Sequence, residues 1–338
     1  MKSVTKTHKI KAAIIGCGGR GDEHARGYAA SLETDIVAVC DPLPEALAKL
    51  MGKYEIGETF PDHESMFAAH KPDIVSVCTW TGLHPEHVIA AAKAGGRAIH
   101  SEKPIAPTWG RAKLMNGVCM ETGVQLTFCH QRRFGAHFVM ARHLVRDGAI
   151  GELQRIDGYC SDMIDWGTHW FDMFNFYNEE TPAEWVMGQV DPNNPYTVFG
   201  VYVESAGISY VRYENGVNGM LVTGRDAGGS CSNRLIGTDG IIEVEVRNGP
   251  RLRMLRKSST GWEVPDLDGV VPAGGDTTLS ILDAIDCMKT GRTPTLCSEN
   301  AMRATELIFA TYESSRRRSR VRLPLDIEDS PLHAMLGV

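Results

Sequence analysis

The segment that most limits this chain is Gly16-Cys17-Gly18-Gly19-Arg20-Gly21, a full G-x-G-x-x-G string. It lies between the apolar run Ala12-Ala13-Ile14-Ile15 and a helical stretch from Asp22 to Ser31. Glycines at that spacing let a strand turn tightly, let backbone approach a pyrophosphate, and let the next helix pack closely against the strand. The helix N-terminus then offers unpaired N–H groups and a positive dipole end to the phosphates. Gly16, Gly18, Gly19, Arg20 and Gly21 therefore read as a dinucleotide loop. Asp41 closes the next apolar run twenty residues beyond Gly21, where a carboxylate accepts hydrogen bonds from ribose hydroxyls. Pro42, Leu43 and Pro44 follow it in place of Arg or Lys. A carboxylate there repels a 2′-phosphate, so NAD is expected rather than NADP.

Further apolar runs, Ile36–Cys40, Ile74–Cys78, Arg97–His100 and Val124–Cys129, alternate with amphipathic stretches such as Pro85–Ala94 and Trp109–Glu121. Runs without period-two alternation, separated by helices, are what a parallel sheet covered on both faces requires. After a helix at about Ala136–Asp147 the texture changes to alternating strands. Tyr210–Tyr213 and Val217–Val222 flank Glu214-Asn215-Gly216 and read as a hairpin with a type I′ turn, and Thr238-Asp239-Gly240 precedes another strand, Ile241–Val246. A helix from about Asn300 to Arg316 comes before Val321–Leu325. The fold class is α/β: an N-terminal doubly wound Rossmann domain plus a C-terminal α+β domain with a large, mostly antiparallel open sheet.

Composition supports two domains. The chain has 338 residues, 43% hydrophobic and 23% charged, which suits a folded globular protein of about 150 residues per domain. Lysine falls from ten before residue 130 to two after it, while arginine rises from four to nineteen. The boundaries are accordingly placed at 1–130 for the nucleotide domain, 131–325 for the substrate and oligomerisation domain, and 326–338 for a tail. A net charge of -7 argues against nucleic acid or an anionic membrane as a partner. The nine cysteines are odd in number and contain no CxxC pair, so they read as buried free thiols in a reducing cytoplasm. Met1–Lys11 is polar and basic with no apolar signal core, and no run approaches eighteen apolar residues, so neither export nor a membrane span is expected.

Two short strings carry chemistry. Ser101-Glu102-Lys103-Pro104 follows the fourth of the nucleotide-domain runs counted from Ala12, and ligands of open α/β sheets bind beyond the carboxyl ends of strands. In Asp165-Trp166-Gly167-Thr168-His169-Trp170-Phe171-Asp172, the spacing i, i+4, i+7 puts Asp165, His169 and Asp172 on one helix face. Polar groups on an otherwise apolar helix are expensive unless they face a cleft. Metal binding is the rival chemistry, but no third ligand cluster appears and the Lys103 cation opposes one, so no metal is expected. Hydride transfer fits better: His169 takes the hydroxyl proton of a secondary alcohol, Asp165 orients the imidazole, and Lys103 stabilises the alcohol oxygen.

Together the glycine loop, Asp41, Glu102-Lys103-Pro104, Arg132-Arg133-Phe134, the DxGxHxxD string at Asp165–Asp172, Tyr213-Glu214-Asn215-Gly216 and Val321–Leu325 resemble the glucose-fructose oxidoreductase / inositol dehydrogenase / rhizopine catabolism family, Gfo/Idh/MocA. The resemblance implies NAD(P) use, a sugar or cyclitol substrate, and a homo-oligomer, dimer or tetramer. It makes Lys103, Asp165 and His169 a catalytic triad and Arg133 a substrate contact, leaves Asp172 structural, and adds Thr79, His84, Glu102 and Lys103 to the cofactor residues. Two departures stand out. Trp80 occupies a place where many relatives have proline, for a role either in the cofactor cleft or in packing, and Tyr159–Asp165 lacks a glycine-rich approach, so the substrate's shape should differ from inositol or glucose. An NAD-retaining sugar hydrolase or lyase and a non-catalytic NAD-binding regulator are the competing readings. The run Arg316, Arg317, Arg318, Arg320 and Arg322 reads as a solvated helix end, and most of Trp166, Trp170, Phe171, Phe174 and Phe176 as core. Of the twelve histidines only His169 falls in a constellation.

Overall fold

The structure, a computed structural model, describes residues 9–225 and 227–338, so the first eight residues of the basic lead Met1–Lys11 lie outside it. The chain divides into two compact units, each discontinuous in sequence. The first comprises Met1–Glu102, Leu114–Cys129 and Thr277–Cys297; the second comprises Lys103–Lys113, His130–Asp276 and Ser298–Val338.

The elements up to residue 128 are β1 (Ile10–Ile15), α1 (Gly19–Ala29), β2 (Thr34–Cys40), α2 (Pro44–Met51), β3 (Ile56–Phe60), α3 (His63–Ala69), β4 (Ile74–Val77), α4 (His84–Lys93), β5 (Ala98–Ser101), α5 (Trp109–Thr122) and β6 (Gln125–Phe128). The six strands form one parallel sheet in the order β3-β2-β1-β4-β5-β6. Winding reverses between β1 and β4, the place where doubly wound sheets bind dinucleotides. Ala12, Ala13 and Ile14 of β1 and Ile74, Val75 and Val77 of β4 are completely buried, which is why those runs show no alternation. β3, α2 and α3 had no counterpart among the apolar runs. β3 is an edge strand whose residues stay partly or fully exposed, so it needs no continuous apolar run.

The later elements are α6 (Ala136–Arg146), β7 (Leu153–Cys160), α7 (Gly167–Tyr177), β8 (Ala183–Asp191), β9 (Tyr196–Val198), β10 (Val201–Val203), β11 (Ala206–Tyr213), β12 (Asn218–Gly224), β13 (Cys231–Gly237), β14 (Gly240–Val246), β15 (Leu252–Arg256), α8 (Asp276–Thr290), α9 (Ser298–Arg317), β16 (Val321–Arg322) and α10 (Pro331–Leu336). Eight strands form a second sheet in the order β15-β14-β13-β7-β12-β11-β8-β16. Only β7 and β12 pair in parallel. α9 lies against β8 and β11 closely enough for the Gly188 N–H of β8 to donate to Ser314 Oγ at 2.9 Å and for Ser209 of β11 to meet Thr311 at 2.7 Å. Val186 and Val190 point to this side and are buried, whereas Met187 and Ile208 are exposed on the other.

The hairpin expected at Glu214-Asn215-Gly216 forms, with a different turn. Only Gly216 of the Asn-Gly pair takes a positive φ, +91°, and its N–H closes onto the Tyr213 carbonyl at 3.0 Å. A type I′ turn needs positive φ at both central residues; a three-residue loop with a left-handed glycine does not. Cys17, Cys40, Cys119, Cys129, Cys231 and Cys287 are buried and the other three cysteines half-buried. Among the described residues no helix is long and apolar enough to cross a membrane.

Candidate functional site

In the first unit the glycine loop leaves β1 and enters α1, which starts at Gly19, so the last glycines are already its first turn. Gly16 has φ +92°, and a Cβ there would lie 2.8 Å from the Cys78 carbonyl oxygen; one at Gly21 would lie 2.2 Å from the Gly16 oxygen. Neither position tolerates a side chain without moving backbone. Gly18 and Gly19 are exposed, and a Cβ there would meet nothing within 4 Å. Space of this kind beside the N–H groups that open a helix fits a pyrophosphate. Asp41, at the end of β2, accepts the Cys17 N–H at 2.8 Å and the Leu43 N–H at 2.9 Å. The loop and its acidic neighbour are thus one assembly. Burial and Asp41 together push the Cys17 thiol up to about 12, so it stays protonated.

Arg20 turns away from the exposed glycines. Its Nε donates to Glu102 Oε1 at 2.7 Å, and the same oxygen lies 3.0 Å from Nε2 of the completely buried His24. Burial works against the Glu102 charge, but the His24 hydrogen bond and the Arg20 charge hold its carboxyl below the usual range. His24 Nδ1 meets Ser76 Oγ at 2.8 Å, as does the Tyr28 hydroxyl. His100 bonds Thr127 Oγ1 at 2.8 Å and is lowered to about 3 by burial and by His24. This buried polar network beneath α1 was not visible in the sequence, because its members come from α1, β4, β5 and β6. His24, His100 and Cys129 bring ligand-type atoms within 4.8 Å of one another, but both His24 nitrogens already have partners and burial raises the Cys129 thiol.

Thr79 and His84 are linked: His84 Nε2–H donates to the Thr79 carbonyl at 2.9 Å, and Thr79 Oγ1 meets His87 Nδ1 at 3.1 Å. Thr79 also touches the Cβ position of Gly16, which ties this segment to the loop. Trp80 is 67% exposed and so is not part of the core.

In the second unit, Lys103 Nζ lies 2.5 Å from Asp165 Oδ1 and 3.2 Å from the Asp165 carbonyl oxygen. The Phe199 ring centre is 5.8 Å away. Asp165 does not lie on the helix: α7 begins at Gly167 after Trp166, so the expected i, i+4, i+7 line with His169 and Asp172 is not formed. A loop from β7 to α7 presents Asp165 instead. Its N–H, at 2.6 Å, and that of Trp166, at 3.4 Å, donate to Asp162 Oδ1. His169, in the first turn of α7, is 4% exposed, with its ring 5.7 Å from His130 and 6.5 Å from Trp166. Trp166 is 45% exposed, whereas Trp170, Phe171, Phe174 and Phe176 are core.

Arg133 is buried. It pairs with Asp172 through Nε and Nη2, at 2.9 and 2.8 Å, and with Glu180 through Nη1 at 2.5 Å. Such a fork against two carboxylates is a structural clamp, which also explains Asp172. Its neighbour Arg132 is more open, stacked 4.6 Å from the Trp170 ring centre and 5.4 Å from that of Trp166. The arginine run at the end of α9 is partly paired, Arg316 with Asp329 and both Arg316 and Arg317 with Glu313.

Residues 10–130 match a family described as an oxidoreductase family with an NAD-binding Rossmann fold, and residues 161–323 match the C-terminal alpha/beta domain of the same family. The D-glucoside 3-dehydrogenase of Escherichia coli strain K12 is 34% identical over 154 residues, 45% of this chain and 44% of that protein. The inositol 2-dehydrogenase of Rhizobium meliloti is 31% identical over 189 residues, 52% and 56% of the two chains. The chain therefore spans about half the length of these curated relatives. In fold it is similar to a levoglucosan dehydrogenase solved with NADH and levoglucosan, with a TM-score of 0.80 at 20% identity, covering 94% of this chain and 100% of that one. With both family domains matched in order along the chain, this protein belongs to the Gfo/Idh/MocA oxidoreductase family.

Proposed function

We propose that this protein is an NAD-dependent dehydrogenase that moves a hydride between nicotinamide and a secondary alcohol of a sugar, sugar derivative or cyclitol. Lys103, Asp165 and His169 form its catalytic set. The observation that carries the reading is the Lys103–Asp165 contact, made across 62 residues of sequence just ahead of the helix that bears His169. The first unit holds the nucleotide. Gly18 and Gly19 receive the pyrophosphate, Asp41 accepts from the ribose hydroxyls and favours NAD over NADP, and Thr79, His84, Arg20 and Glu102 brace the loop from behind. When bound, NAD supplies the hydride acceptor.

The protein's own part is proton handling and orientation. His169 accepts the hydroxyl proton as the C–H bond breaks. The Lys103 ammonium donates to the alcohol oxygen and stabilises negative charge as it develops there. Asp165 anchors that ammonium, so it is aimed before substrate arrives. Arg132, less enclosed than Arg133 and held only by a longer contact to Glu245 at 3.4 Å, is the better substrate contact of the two. The uncovered sheet face around Met187 and Ile208 suits pairing with another copy in a homo-oligomer, and an odd number of cysteines with no CxxC pair suits a reducing cytoplasm.

Incubating the purified protein with NAD and a panel of polyols, sugars and sugar acids tests the reading. Net NADH absorbance is expected with at least one of them. Product formed without net NADH would mark an enzyme that re-reduces its own cofactor within each turnover.

A further inference from the structure

The loop from Cys160 to Trp166 joins β7 to α7 and carries Asp165, yet contains no glycine. Side chains hold its backbone. Asp162 Oδ1 accepts the Asp165 and Trp166 N–H groups, and Asp162 Oδ2 accepts the Ser161 hydroxyl at 2.7 Å. The Met163 N–H reaches further, donating at 2.8 Å to Oε1 of Glu204. Glu204 is completely buried. Its Oε1 also accepts Thr223 Oγ1, and its Oε2 accepts the Tyr312 hydroxyl, both at 2.7 Å.

We infer that Asp162 and Glu204 are positioning residues for the catalytic set, and that the proton on Glu204 governs how firmly the loop presents Asp165 to Lys103. The inference rests on the reading of Lys103, Asp165 and His169 as that set.

Donor counting supplies the mechanism. Ionised Glu204 is an acceptor only, and its three neighbours all donate to it. Once protonated it must donate through one oxygen. The proton settles on Oε2, where the Tyr312 hydroxyl can turn to accept it, and the Met163 N–H is left with a neutral carbonyl oxygen in place of a charged carboxylate, a bond roughly half as strong. Charged or titratable groups facing Glu204 are Asp162 in the loop, Cys160 on β7, Tyr196 on β9 and Tyr312 on α9. None of these is a cation. Burial, opposed by the Tyr312 and Thr223 hydrogen bonds and reinforced by Asp162, brings Glu204 to about 7, so the proton exchanges at ordinary working pH. Burial likewise raises Asp162. Neutralising Glu204 relaxes the hold on Met163, two residues from Asp165, and the effect should appear in turnover rather than in nucleotide binding.

The test compares wild type with Glu204→Gln, the neutral isostere, across neutral pH. The ratio of their kcat values cancels any ionisation the two proteins share, including that of His169. It is expected to approach one in acid and to rise to about tenfold in alkali, with NADH affinity changed less than about twofold. Infrared pH-difference spectra of the wild type should show a buried carboxylic acid losing its proton near neutrality, absent in the variant. A ratio that is flat with pH, or an infrared signal that survives in Glu204→Gln, overturns the inference. Should Glu204→Gln fail to fold, Tyr312→Phe serves instead: losing a bond to the charged form should move the midpoint up by about one pH unit, and an unmoved midpoint overturns the inference. A Lys103→Ala control separates the two readings, since it tests the catalytic set through turnover while leaving the infrared signal of Glu204 in place.

Discussion

Residues 16–21 and residues 160–166 are both short connections from a strand into a helix, yet they are held in opposite ways. The first is shaped by the absence of side chains: Gly16 takes a positive φ, and a methyl group at Gly16 or Gly21 would strike backbone oxygen. The second has side chains throughout and is held by two carboxylates, one of them on Glu204, 41 residues from the N–H it accepts. A steric device is indifferent to pH and demands one residue type. An electrostatic device responds to protons and is open to tuning. The comparison teaches that glycine sterics set the path of the first connection, with one carboxylate, Asp41, holding the Cys17 N–H, whereas carboxylates alone set the path of the second.

The largest effect should come from the chemistry itself. Lys103→Ala and His169→Ala are each expected to lower kcat by at least about 1000-fold while NADH binding stays nearly intact in a fluorescence titration. Normal turnover in either variant would remove the assignment.

The steric half of the comparison breaks next. Gly21→Ala should destabilise the fold by about 2–3 kcal/mol because backbone must shift, whereas Gly18→Ala should melt like the wild type and lose NADH affinity. Thermal denaturation and calorimetric titration read the two effects. Unchanged affinity in Gly18→Ala would mean that the open space is not the ligand's.

Charge beneath the glycine loop offers a similar test. Glu102→Gln leaves Arg20 and His24 with their buried partner neutralised and should cost about 3 kcal/mol at neutral pH. Because the folded state holds Glu102 below its ordinary value of 4.5, its contribution is full above that value and fades as pH falls through the folded one. The gap between wild type and variant in urea melts should therefore narrow in acid; a constant gap would assign the loss to packing. The smallest effect is expected at Asp41. Asp41→Ala should relax the preference for NAD over NADP by about tenfold, and unchanged discrimination would place Asp41 away from the ribose.

Much of this was legible in the residues. The parallel strands that carry the apolar runs, the glycine loop and the hairpin were all anticipated. β3 was missed because an edge strand need not be apolar, and the Asn215-Gly216 turn was misassigned because the same dipeptide serves two loop geometries. Asp165 was expected on the helix because spacing counts residues without knowing where a helix begins. The resemblance offers Arg133 as a substrate contact, and sequence cannot tell that its guanidinium meets Asp172 and Glu180. Most of the buried histidines went unassigned, since His24 and His100 acquire partners only when β4, β5 and β6 align beside α1.

The sequence by itself determined the buried parallel strands, the doubly wound class of the first sheet and the glycine loop, because each rests on local sterics and on periodic burial. Only the tertiary structure decided that Lys103 meets Asp165, that Arg20 and Glu102 support the loop from within, and that Glu204 holds the segment carrying Asp165. Those pairings depend on charge and hydrogen-bond partners drawn from distant parts of the chain. No local pattern of residues encodes them.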